Sequence, residues 1–180
     1  MSIELVSWEW TPQDVSDLKA ADKMRELFQQ KYDQQAVCYC MGDGLEEIKK
    51  ASSASKNIVV SPAALVAAQY LEKTFGTPYE ISYPLAGELI PEMDYTGKKI
   101  LVVHQQAIAD SIRRELKARG AEIVQVADWF MMKKELREEG DVFLRDEDDY
   151  IEVVENGDFD IIFADEMYES VWYRSLEGYL

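Results

Sequence analysis

Histidine is almost missing from this chain: His104 is the sole one, so any mechanism that needs an imidazole must use it. Cysteine is nearly as scarce. Cys38 and Cys40 are separated by one residue in an apolar run that reads as a strand, which sets their side chains on one face roughly 7 Å apart. That spacing is poor for a disulfide. Two thiolates are also two ligands short of a tetrahedral zinc or a four-thiolate iron–sulfur site, so buried thiols are expected and no metal site is assigned. No apolar stretch approaches the length of a membrane span, and Met1-Ser2-Ile3-Glu4-Leu5 lacks the basic and apolar regions of a secretory signal. The expected location is the cytoplasm.

Basic residues are outnumbered: 19 Lys and Arg face 35 Asp and Glu, a formal net charge of −16. The imbalance is concentrated near the C-terminus, where 14 carboxylates lie between Glu138 and Glu169 against the single cation Arg145. Such a field repels phosphate backbones and anionic lipid, which argues against nucleic-acid and membrane partners. It would attract a basic partner protein or a metal ion instead. A solvated acidic face is the plainer reading of the same residues.

What remains is ample for folding. With 47% hydrophobic residues in 180, the chain can bury one sizeable core or two small ones. Ile3–Trp8 reads as a strand, and Thr11-Pro12-Gln13-Asp14 opens a helix running to about Tyr32, with Thr11 as N-cap and Pro12 in the first turn. Ala36–Met41 is the next strand. Asp43 and Glu46 suggest a capping box for a short helix ending at Lys50. Ile58-Val59-Val60 has the two-sided apolarity of a central parallel strand. Ser61-Pro62 then caps a helix with Leu65, Ala68, Leu71 and Phe75 on one face, which Gly76 ends. Pro78–Tyr83 is a further extended segment.

Pro84–Gly97 has two prolines, two glycines and no sustained period, so it reads as a connector between two units. The cycle then restarts. Ile100–Val103 is a strand, Gln106–Arg119 a helix with Ile108, Ile112 and Leu116 on one face, and Glu122–Val126 a strand. Trp129–Glu139 is expected to be helical, Val142–Leu144 a short strand, Asp148–Glu155 a helix and Phe159–Ala164 the last strand. This alternation predicts an α/β fold: two successive Rossmann-like open, mostly parallel sheet units, over residues 1–90 and 91–180.

In such sheets ligands bind beyond the C-terminal strand ends. Candidate ligand-binding residues are therefore Gly42, Asp43, Gly44, Ser61, His104 and Asp165. No catalytic residue is assigned. Gly42-Asp43-Gly44 is half of a dinucleotide fingerprint. Position 47 is Glu where the third glycine would stand, and Asp43, Glu46 and Glu47 put negative charge where a pyrophosphate needs positive potential. Asp128 with Asp165 and Glu166 could gather oxygens for a hard cation, or could simply be solvent-facing acids. Trp172, Tyr173 and Tyr179 crowd the C-terminal tail, where they would pack on the core or on another subunit.

The order of segments resembles a known family. Asn57-Ile58-Val59-Val60-Ser61-Pro62, then Ala67-Ala68-Gln69-Tyr70-Leu71, then Phe75-Gly76-Thr77-Pro78-Tyr79-Glu80 is similar to the middle domain of nitrogenase component 1-type oxidoreductases. Gly97-Lys98-Lys99-Ile100-Leu101-Val102-Val103 resembles the first strand of that family's last domain. Glu155-Asn156-Gly157-Asp158-Phe159-Asp160-Ile161-Ile162 resembles its later step from acidic helix through glycine to strand. The resemblance implies an iron–sulfur redox subunit or a cofactor-assembly scaffold. It further implies a homo- or hetero-oligomer, with a basic electron-donor protein as a partner. The family's cluster cysteines belong to a preceding domain with no counterpart here, and neither Cys38 nor Cys40 takes that role. The alternative is a non-catalytic α/β module that binds a small ligand or another protein.

Overall fold

A computed structural model describes residues 3–6, 25–26, 29–30, 36–39, 50 and 53–164. Several expected features lie outside that set: Gly42–Gly44, the capping box at Asp43, Cys40, Asp165–Glu166, the aromatic tail and most of the 11–32 helix, of which residues 25, 26, 29 and 30 are helical. The chain divides into two compact units, Met1–Leu85 and Ala86–Leu180.

The first unit is a four-stranded sheet in the order β2-β1-β3-β4, built from β1 (Ile3–Val6), β2 (Ala36–Tyr39), β3 (Lys56–Val59) and β4 (Tyr79–Ile81). Every pairing is parallel, with Ile3 opposite both Ala36 and Lys56, and Asn57 opposite Tyr79. β3 is an interior strand, and Ile58, Val59 and Val60 are all buried. Ser61 adopts extended backbone and caps the following turn through its Oγ, which accepts from Ala63 N at 3.3 Å. That turn, Pro62–Ala64, is 3-10, and it leads directly into helix α1 (Leu65–Phe75). Gly76, with φ 75°, closes α1 in the left-handed region that a side chain would resist. The expected apolar face holds at Leu65 and Ala68 but not at Phe75, which is 55% exposed and meets Tyr70 edge-on at 6.4 Å.

The second unit is also four-stranded and parallel throughout, in the order β7-β6-β5-β8. Its strands are β5 (Lys99–Val103), β6 (Ile123–Asp128), β7 (Val142–Phe143) and β8 (Ile161–Phe163). Helix α2 (Gln106–Ala118) joins β5 to β6, and helix α3 (Glu147–Gly157) leads into β8. Strand alternation sends Leu101 and Val103 to one face. There they form a core with Ala127, Leu144 and Tyr150, against which Val153 and Val154 of α3 pack. On α2 the buried line is Ala109, Ile112, Arg113 and Leu116; Ile108 is only half-buried. Burying each such aliphatic side chain stabilises the unit by about 1.5–3 kcal/mol.

Two departures from expectation have physical causes. Ala86–Gly97 is packed onto the second unit instead of spanning a gap: Ala86, Ile90 and Tyr95 are buried, Tyr95 lies 6.3 Å from Phe163, and Arg119 donates to the Gly87 carbonyl at 3.1 Å. Residues 129–139 are a strap with one 3-10 turn at Lys134–Leu136, not a helix. Side chains from α2 and from the end of β6 take up the strap's backbone groups, and a helix would need those groups for itself.

The glycine before β8 has a steric reason. A Cβ on Gly157 would overlap the ring of Phe159, which packs against the core, so this step admits no side chain without moving that ring.

Candidate functional site

Each sheet has a point where strand order reverses, between β1 and β3 in the first and between β5 and β8 in the second. Those points are where an open α/β sheet offers its crevice. Of the expected ligand residues, Ser61 stands just beyond β3 and His104 just beyond β5, in different units. Gly42, Asp43, Gly44 and Asp165 lie outside the described residues.

At the second sheet's mouth the loop His104-Gln105-Gln106 is tied down at each residue. His104 N donates to the Ala127 carbonyl at 3.2 Å, and Gln105 N donates to His104 Nδ1 at 2.8 Å. With Nδ1 accepting, the neutral ring carries its proton on Nε2. Gln105 is the N-cap of α2, and its Oε1 accepts from Ala107 N at 2.9 Å. Asp128, fully buried at the end of β6, accepts from Gln106 N at 3.0 Å through one oxygen and from Phe130 N at 2.9 Å through the other.

The consequence is electrostatic as well as steric. A helix N-terminus attracts anions because its first amides lack partners and its dipole is positive there. In α2 the Asp128 carboxylate already stands at that place, and the Gln105 amide oxygen takes the next N–H. Both oxygens of Asp128 are bound to backbone donors, the opposite of the outward-facing acid, cation ligand or simply solvated, that its sequence position suggested. Among the described residues no three His, Cys, Asp or Glu side chains are grouped to hold a metal ion.

Gln106 is fully buried and spends both ends of its amide on the strap. Its Nε2 donates to the Lys133 carbonyl at 3.1 Å, and its Oε1 accepts from Lys133 N at 2.8 Å. This mimics one rung of a β-ladder. Trp129, at the start of the strap, lies 6.1 Å from Tyr150 of α3.

Sequence reasoning missed a buried ionic cluster centred on Arg113, about two turns further along α2. Arg113, 2% exposed, reaches Asp110 at 2.7 Å, Asp141 at 2.8 Å and Glu138 at 3.0 Å. Asp141 also accepts from Val126 N at 3.1 Å and Glu138 N at 2.9 Å, and Arg137 donates to the Asp141 carbonyl. Burial opposes the charge on Arg113, but Asp141, Asp110 and Glu138 outweigh it and raise its pKa above the usual guanidinium value. Burial likewise pushes Glu138 up, and Arg113 with Lys117 more than offsets that, leaving it low. Asp110 goes the other way: burial lifts it to about 6 despite the pull of Arg113. The available signal was a cation in register with Ala109, Ile112 and Leu116, a core position that a lone arginine would not occupy.

A cleft of about 400 Å³ opens beside the edge strand, lined by Gln125, Phe143, Arg145, Asp149, Glu152 and Val153 among others. Arg145 forks onto Asp149 at 2.7 and 2.8 Å, and these bonds hold the Asp149 carboxyl down to about 2. Among the described residues no helix is long and apolar enough to cross a membrane.

No protein-family model matches this chain, and no curated protein matches it. Solved structures do. The nitrogenase structure "Nitrogenase Cp1 at pH 6.5" aligns over 97% of this chain and 51% of its own, with a TM-score of 0.53 at 13% identity. Shikimate dehydrogenase 1 from Peptoclostridium difficile aligns over 78% of this chain and 60% of its own, with a TM-score of 0.36 at 14% identity. The chain spans about half the length of the nitrogenase chain it matches. Its fold is nitrogenase-like, a Rossmann-like α/β architecture.

Proposed function

We propose that this chain is part of a nitrogenase component 1-like oxidoreductase subunit and acts there as scaffold. The observation that carries the reading is the alignment of nearly the whole chain, through two consecutive parallel sheets, on the nitrogenase structure. The resemblance of the segments from Asn57 to Ile162 to that family supports the same reading.

An iron–sulfur cluster calls for about four thiolates. The two cysteines do not fit that group, because they supply half the donors and Cys38 sits in β2, the edge strand of its sheet. No step through a cluster is derived for this chain. It would instead form walls and subunit contacts around a cofactor ligated elsewhere, in a homo- or hetero-oligomer whose acidic face meets a basic electron-donor protein. A cytoplasmic location suits that role.

A second reading, a non-catalytic binding or interaction module, is favoured by one detail. The first amides of α2 are satisfied by Asp128 and Gln105, which leaves that mouth poorly equipped for an anionic cofactor.

Anaerobic purification with iron analysis and an absorbance spectrum tests the proposal. The chain alone is expected to hold well under one iron. Coexpressed with a cysteine-bearing nitrogenase-type subunit, it should co-elute with that subunit and with visible cluster absorbance. About four irons on the isolated chain would overturn the scaffold role. Failure to associate with such a subunit would leave the interaction module standing.

A further inference from the structure

Residues 129–141 lead from the end of β6 to β7 and are fastened at both ends. Near the sheet mouth the fastening is Gln106 on Lys133 and Asp128 on Phe130. At the far end it is the Arg113 cluster, which draws carboxylates from three places: Asp110 on α2, Glu138 on the strap and Asp141 just ahead of β7. Lys117 adds a second cation, 3.4 Å from Glu138.

The charge balance is uneven. Arg113 and Lys117 pair with these three carboxylates, while Arg137 reaches only the Asp141 carbonyl, so by side-chain pairs the cluster carries an excess negative charge when all three are ionised and is balanced when one holds a proton. Asp110 is the group placed to hold it. Only 18% of its side chain is exposed. Burial pushes it up to about 6, with Asp141 and Glu138 pushing the same way and Arg113 opposing. Those three are the charged groups that face it, one on its own helix and two on the packed segments.

We propose that this cluster is a proton-operated latch that holds the 129–141 strap against α2, tight with a proton on Asp110 and loosened as that proton leaves. The sign follows from linkage. A carboxyl whose pKa is higher in the latched state binds more proton there, so the hold it adds is complete below its ordinary value of 3.8 and is lost as pH rises through about 6. The latch is therefore on its slope between about pH 4 and 6, where a change of one pH unit alters how often the strap opens, and it is largely released by neutrality.

Amide exchange of the full chain, followed by NMR at pH 5, 6 and 7 with each rate divided by its intrinsic value, reads the latch. Protection of Glu138 N, which is bonded to Asp141, should fall about tenfold between pH 5 and 7, while the β5 amides should stay level. In Asp110→Asn the fall should vanish. An equal fall in that variant, or none in the wild type, would overturn the proposal. Should Asp110→Asn not fold, the Asp110 carboxyl carbon shift in the wild type decides. A midpoint near about 6 that coincides with the strap transition supports the latch, and a midpoint below about 4.5 overturns it.

Discussion

Replacing Arg113 with methionine should destabilise the second unit by about 3–5 kcal/mol, although methionine fills much of the same space. The loss comes from what stays behind. Asp141 is fully buried, and without the guanidinium its charge has lost its nearest counter-ion. Its two backbone donors, Val126 N and Glu138 N, solvate it only in part. Asp110 loses its partner as well. Arg113→Lys should recover only some of the stability, since an ammonium cannot fork between Asp110, Asp141 and Glu138 as the planar guanidinium does. The wild-type cluster is itself imperfect: Arg113 Nε has no acceptor among the described residues, which costs part of what the three contacts contribute. Urea denaturation followed by circular dichroism measures the change, and a loss under about 1 kcal/mol would mean that the cluster adds little to the unit.

Asp128→Ala should cost about 2–4 kcal/mol. The substitution removes a helix cap, leaving Gln106 N and Phe130 N without their buried acceptor. Asp128→Asn keeps the shape and one acceptor but turns an N–H toward one of those donors, so it should fall between wild type and alanine. The same denaturation experiment ranks the three. If Asn proved as damaging as Ala, hydrogen bonding alone would not explain the role of Asp128, and its charge at the α2 N-terminus would be the larger part.

Much of the architecture was legible because it is locally encoded. Ile58-Val59-Val60 and Ile100–Val103 are apolar on both faces, as buried parallel strands must be, and lie in or beside strands; Ile161-Ile162-Phe163 is a strand as well, though half-buried at the end of its sheet's strand order. Gly76 ended its helix as expected, and Gly120 follows the last turn of α2 with φ 96°. The strap was misread because its apolar residues imitate a helix, while the groups that prevent one come from far away: Gln106 lies 27 residues before Lys133. The ionic cluster was hidden for the same reason, since Arg113 and Asp141 are 28 residues apart. Asp128 was noticed as a carboxylate at a strand end, but sequence could not tell an outward ligand from an inward cap. The register that sets its oxygens against α2 is a property of the folded sheet.

The account of the candidate site turns on the mouth of the second sheet, where Asp128 and Gln105 occupy the place an anionic cofactor would take. Titrating the full chain with inorganic pyrophosphate while following the amide resonances of Gln106 and Ala107 tests it directly. The account predicts no saturable shift at either amide, because Asp128 and Gln105 already hold them. A saturable shift at both would contradict it and make this mouth a working anion site.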